Sequence, residues 1–257
     1  MARGELAEVQ AGRRGGVRAG AGRKPGTGRR PMPHRSRPPH TSSHPVHVTL
    51  RSCFRPLRHP FVFPTVRAAI AAVSRQRSTR PVGMRRVRHD FRIVHFSVQA
   101  DHIHLIVEAR DKRTLSNAVR GLSVSIARRL NALVNRTGPV FADRWHGRAL
   151  TTPRAVRTAV VYVLGNHRKH GSQRGGVDPY SSAPYFDGFR ESRGTPPFER
   201  DARCVPRALA PPESERPVAL APTTWLLRVA WRQRGSISID ESPAIVAKRS
   251  YDPMMAH

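Results

Sequence analysis

Two alternating runs that meet end to end constrain this fold more than any other feature of the sequence. Residues 91–100 set Val94, Phe96 and Val98 on one face of an extended chain. Residues 102–109 do the same with Ile103, Leu105 and Val107, leaving His102, His104 and Ile106 on the opposite face. With only the Ala100-Asp101 corner between them, the two strands predict a β-hairpin.

The elements around the hairpin read from the same two periods. Val46, Val48 and Leu50 alternate with His47, Thr49 and Arg51, which predicts a strand over 46–53. Pro64-Thr65 opens a helix carrying Val66, Ile70 and Val73. Leu115, Val119, Leu122, Ile126, Leu130 and Leu133 step by three or four residues, an amphipathic helix that Gly138-Pro139 is expected to end. Residues 144–150 form a short fourth strand, and Thr152-Pro153 starts a last helix that runs to about His167, with Gly171 as its stop. Strand, helix, strand, strand, helix, strand, helix is the split-βαβ order. The expected fold is therefore α+β: a ferredoxin-like four-stranded antiparallel sheet with crossover helices and an added C-terminal helix that bears Tyr162.

The flanks differ in kind. Residues 1–44 hold ten Arg and Lys, two Glu and eight Gly, with hardly a large apolar side chain. Such a segment buries too little surface to offset its ordering entropy, and a disordered basic arm is expected. Residues 45–171 form the patterned domain. Residues 172–257 are a Pro-rich tail with one patterned element at 223–234, where Trp225, Leu226, Val229 and Trp231 predict a short helix docked on the main domain.

Charge narrows the partner. Lys and Arg number 46 against 17 Asp and Glu in 257 residues, a formal charge of +29. An excess of this size implies a polyanionic partner, most simply nucleic acid. No run approaches the roughly 18 apolar residues of a membrane span, and the Arg/Gly-rich start lacks the apolar segment of a secretory signal. Cys53 and Cys204 make neither a disulfide framework nor a zinc-knuckle spacing. A cytoplasmic protein without a membrane partner is expected.

Two constellations carry chemistry. His102-Ile103-His104 puts two imidazoles on one strand face, where they either clamp a divalent cation or form a structural pair. Tyr162 and Asn166, four apart, share one side of the last helix, roughly 100° from the stripe of Val156, Val160, Val163 and Leu164. A tyrosine there packs at the core rim or presents its hydroxyl to the sheet, and Asn166 offers a carbonyl oxygen able to join two imidazoles around Mg²⁺ or Mn²⁺. Candidate phosphate contacts are Arg85, Arg86 and Arg88 in a basic loop, Arg144 and Arg148 beside the fourth strand, Arg154 and Arg157 at the last helix, and Arg168 and Lys169 after it. About half of them read equally well as solvated surface charges. Trp145 reads as core or as a stacking platform.

Together these residues resemble a known family. The run Ala100-Asp101-His102-Ile103-His104-Leu105-Ile106-Val107-Glu108 is similar to the His-hydrophobic-His strand of single-tyrosine transposases. Arg128-Arg129-Leu130-Asn131, then Val140-Phe141-Ala142-Asp143-Arg144-Trp145-His146, then Tyr162-Val163-Leu164-Gly165-Asn166 follow in the spacing and order of the REP-associated tyrosine transposases of bacteria. The resemblance spans residues 45–171, and Trp225 to Trp231 also resembles this group. The chain departs from the pattern at Asp101, where members often carry Asn, and at His167, where an Asn-Pro pair is common. The first change alters the charge beside the two histidines, and the second lets the helix continue.

The resemblance implies a metal-dependent endonuclease and strand transferase for DNA. His102, His104 and Asn166 would be the ligands of Mg²⁺ or Mn²⁺ and Tyr162 the nucleophile, leaving a 5′-phosphotyrosine and a free 3′-OH. It further implies single-stranded or hairpin DNA as partner, no small-molecule substrate, a nucleoid location, and a monomer or homodimer. The rival reading is a non-catalytic DNA- or RNA-binding protein that keeps the fold. The intact set of Tyr162, His102, His104 and Asn166 argues against it.

Overall fold

The computed structural model describes residues 39–75, 90–169, 176–190 and 218–241. The basic loop with Arg85, Arg86 and Arg88, the stop expected at Gly171 and most of the N-terminal arm lie outside the described residues. The description begins inside the expected arm: His40 Nε2 lies 2.8 Å from the Ala109 carbonyl, and His44 N–H closes a turn on Thr41 O.

The four strands are β1 (Val46–Arg51), β2 (Phe91–Val98), β3 (His102–Ala109) and β4 (His146–Ala149), in the order β2-β3-β1-β4 with every pairing antiparallel. The helices are α1 (Phe63–Arg75), α2 (Lys112–Leu133), α3 (Pro153–Lys169) and the single turn α4 (Trp225–Arg228). The split-βαβ sheet with its added third helix is thus as expected.

One face of the sheet packs on α1 and α2. Val46, Val48 and Leu50 from β1, Phe91, Ile93, Phe96 and Val98 from β2, and Ile103, Leu105 and Val107 from β3 meet Val66 and Ile70 of α1 there. From α2 come Leu115, Val119, Leu122, Ile126 and Leu130, all buried. Each such side chain removed from water contributes about 1.5–3 kcal/mol, so this face holds most of the fold together. Asp111 caps α2 by accepting the Thr114 N–H at 2.7 Å. The helix stops at Leu133, earlier than Gly138-Pro139 suggests, and Asn135 follows with φ 47°. Trp145 belongs to this core, and its ring lies so close over Gly147 that a Cβ there would approach to 2.5 Å.

β2 departs from the expected pattern. The register slips between Ile93 and His95, so a bulge at Val94 turns this side chain to the other face, away from Phe96 and Val98. There it meets Ile106 and the buried stripe Val156, Val160, Val163 and Leu164 of α3.

The tail is not merely an appendage. Val177, Phe186, Phe189, Leu226, Leu227, Ala230, Trp231 and Ile237 complete the core around α3. The Trp231 ring stacks on Phe186 at 5.6 Å, and its Nε1–H donates to Leu227 O at 2.8 Å. Glu108, buried on β3, accepts the N–H and hydroxyl of both Thr223 and Thr224 at 2.5–3.0 Å. The outer edge of β2 is covered by the same segments, through Val98 N–H to Tyr180 O, Ser182 N–H to Phe96 O and Leu220 N–H to Ile93 O.

Candidate active site

The second face of the sheet is apolar at one end and polar at the other, and α3 bridges both. Antiparallel register sets Thr49 opposite both His104 and His146, His102 opposite Arg51, and His47 opposite both Ile106 and Arg148. Alternation then brings His47, Thr49, His102 and His104 to one surface. The His102 and His104 rings stand 4.6 Å apart, nearly perpendicular. From α3, the half-buried Tyr162 reaches down to them, with its ring 5.0 Å from His104 and 5.7 Å from His47.

His47 was not among the expected site residues. Its signal was available: it alternates with Val46 and Val48, on the side of the strand that Thr49 shares. Its Nε2 and the Thr49 Oγ1 both lie 3.1 Å from His104 Nδ1. Burial, followed by the positive fields of His146 and Arg148, lowers the His47 pKa from 6.5 to about 4, so its ring is neutral at neutral pH.

His102 has a charged neighbour instead. Its Nδ1 lies 2.6 Å from Asp101 Oδ1, and Asp101 Oδ2 accepts from Arg55 Nη2 at 2.7 Å. Partial burial works to raise the Asp101 pKa, but the His102 hydrogen bond and the charges of His102, Arg55 and Arg51 outweigh it and hold the carboxyl below its usual range. Tyr162 is shifted the other way: burial raises its pKa above the ordinary phenol value.

One turn beyond Tyr162, Asn166 is fully buried, and among the described residues neither its amide oxygen nor its amide nitrogen has a hydrogen-bond partner. Leaving such a group unsatisfied costs about 1–3 kcal/mol, which fits an amide oxygen that serves as a ligand. Among the described residues no three His, Cys, Asp or Glu side chains group to hold a metal. An amide oxygen is the type of donor that suits Mg²⁺ or Mn²⁺.

The next residue, His167, is buried with Nδ1 3.9 Å from Asp178 Oδ2, and burial lowers its pKa. Asp178 is itself held by a bidentate pair of bonds from Arg58 at 2.8 and 2.9 Å.

The expected phosphate contacts divide. Arg144, Arg148 and Arg154 are exposed. Arg157 turns inward instead: it forms a bidentate ion pair with Glu241 at 2.6 and 2.8 Å and donates to Gly235 O and Ser236 O. Arg168 donates to Gly176 O at 2.8 Å and lies 3.6 Å from Asp240. Both guanidinium groups therefore fasten α3 to the tail. Lys169 ends α3, and its side chain lies outside the described residues. Trp145 is core. Among the described residues no helix is long and apolar enough to cross a membrane.

Residues 72–146 match the family model for IS200-like transposases, which bears out the resemblance drawn from the sequence. No curated protein matches the chain. Among solved structures, the chain is similar to a REP-associated tyrosine transposase bound to a REP hairpin. The identity is 19% and the TM-score 0.44, over 75% of this chain and 93% of that one.

Proposed function

We propose, from the IS200-like transposase segment that the chain carries, that this protein cuts and rejoins single-stranded, hairpin-bearing DNA through a 5′-phosphotyrosine formed on Tyr162. The observation that carries the reading is the placing of the His104 ring between two others on the sheet face, 4.6 Å from His102 and 5.0 Å from Tyr162, with the buried amide of Asn166 one helical turn on. Tyr162 Oη attacks phosphorus in line and the 3′-oxygen leaves, so one phosphodiester is exchanged for another and the strand can be resealed without ATP. Burial keeps the phenol protonated at neutral pH, and the proton has to leave as the bond to phosphorus forms. His102, His104 and Asn166 would hold a divalent cation, Mg²⁺ or Mn²⁺, which when bound withdraws charge from the phosphate and orients it. Arg144, Arg148 and Arg154 are the exposed cations nearest in sequence to β4 and the start of α3, and they would follow the DNA backbone.

The test is a denaturing gel of the full chain incubated with labelled hairpin-bearing single-stranded DNA and Mn²⁺. The wild type is expected to give a covalent protein–DNA adduct. Tyr162→Phe keeps the ring for packing and should give none, with DNA affinity close to wild type. An adduct that survives in Tyr162→Phe would overturn the nucleophile assignment. Binding without any adduct in the wild type would favour a nucleic-acid binder that cuts nothing.

A further inference from the structure

The two strand histidines are held by different chemistry. His104 Nδ1 faces two neutral groups, the Thr49 hydroxyl and the His47 imidazole, each at 3.1 Å. His102 Nδ1 faces a carboxylate at 2.6 Å, the shorter contact, and that carboxylate is held from behind by Arg55 at 2.7 Å. The backbone of the same corner is pinned as well: Ser52 N–H donates to Asp101 O at 2.7 Å, and Leu57 N–H donates to Ala100 O at 2.9 Å. The Asp101 carboxylate is thus fixed between the loop after β1 and the first residue of β3.

An ionised carboxylate can only accept, so it assigns the proton of His102 to Nδ1 and makes Nε2 the lone-pair nitrogen. It also makes the imidazole a stronger donor toward a cation than a neutral partner would. We infer that Asp101 is a positioning residue, which sets the tautomer of His102 and raises the affinity of the site for a divalent cation. The inference rests on the reading of His102, His104 and Asn166 as a cation site. It also gives a physical role to the residue at which this chain departs from the pattern it resembles.

Two measurements on the full chain test it. The first needs no metal. Long-range ¹H–¹⁵N spectra of the metal-free protein at about pH 8 report which ring nitrogen carries the proton. Wild-type His102 is expected in the Nδ1–H form, and Asp101→Ala is expected to shift it toward the Nε2–H form that free imidazoles favour. The second is a Mn²⁺ titration followed by electron paramagnetic resonance. Removing an outer partner of a ligating histidine typically lowers metal affinity about 10–100-fold. Asp101→Ala should fall in that range, and Asp101→Asn, which keeps an acceptor oxygen and loses the charge, should fall less. His102→Ala is the control for loss of a ligand.

Wild-type His102 in the Nε2–H form overturns the inference, as does Mn²⁺ affinity within about threefold of wild type in Asp101→Ala when His102→Ala abolishes it. Absence of Mn²⁺ binding by the wild type overturns the cation site itself, and the affinity half of the inference with it. If Asp101→Ala does not fold, Asp101→Asn keeps both readouts available.

Discussion

At the scale of single residues, this protein relies on imidazoles that stay neutral. His95, on the α3 side of the sheet beside Phe186 and Ser182, is the plainest case. Burial lowers its pKa from 6.5 to about 4, and the attraction of Asp187 recovers only part of the loss. Between those two values the unfolded chain binds a proton that the native chain does not. The contribution of His95 to stability is therefore fully present above pH 6.5 and disappears as the pH falls toward 4. The size of this dependence is up to about 3 kcal/mol. His95→Gln should give a shallower loss of stability over that window in urea titrations at a series of pH values. A slope equal to that of wild type would show that His95 does not charge on unfolding.

At the scale of elements, α3 is held by a sheet on one side and by the tail on the other. Trp231→Ala removes the largest side chain that the tail packs against α3 and should destabilise the protein by about 3–5 kcal/mol. Trp225, six residues earlier and 58% exposed, should tolerate Ala with a change within about 0.5 kcal/mol. Equal effects in a denaturant titration would contradict the packing described for the tail. The strands, the three long helices and the positions of His102, His104, Tyr162 and Asn166 were legible because alternation and the 3.6-residue period carry them. The bulge was not, because Ile93 and Val94 are both apolar and either can face the α1/α2 core without breaking the pattern. Nor was most of the tail packing: Val177, Phe186, Phe189 and Ile237 are isolated apolar residues among Pro, Gly and Ser, and they share no period. The inward turn of Arg157 was hidden for a related reason, since Glu241 lies 84 residues away in sequence.

At the scale of the whole molecule, charge and packing are separable. All ten basic residues of the N-terminal arm precede residue 39, where the described chain begins. Deleting residues 1–38 should keep a single cooperative thermal transition, since His40 and the turn that follows it remain. It should also weaken DNA binding and make it less sensitive to salt. Each phosphate that the shortened chain no longer neutralises flattens the plot of log affinity against log salt by about 0.7 for single strands. A salt titration of both proteins on one hairpin oligonucleotide checks this, and an unchanged slope would mean that the arm does not touch DNA. The dependence of α3 on the tail has a consequence for the order of events on the ribosome. When residue 169 leaves the exit tunnel, the sheet, α1 and α2 are all available, and the two strand histidines already share a surface. The tyrosine-bearing helix still lacks Phe186, Trp231, Ile237 and the Glu241 carboxylate that it packs against. A nascent chain of this protein therefore acquires the parts that would grip DNA well before it can hold the residue that would cut it. A message broken after codon 217 would encode a protein that has gained Phe186 but still lacks Trp231, Ile237 and Glu241.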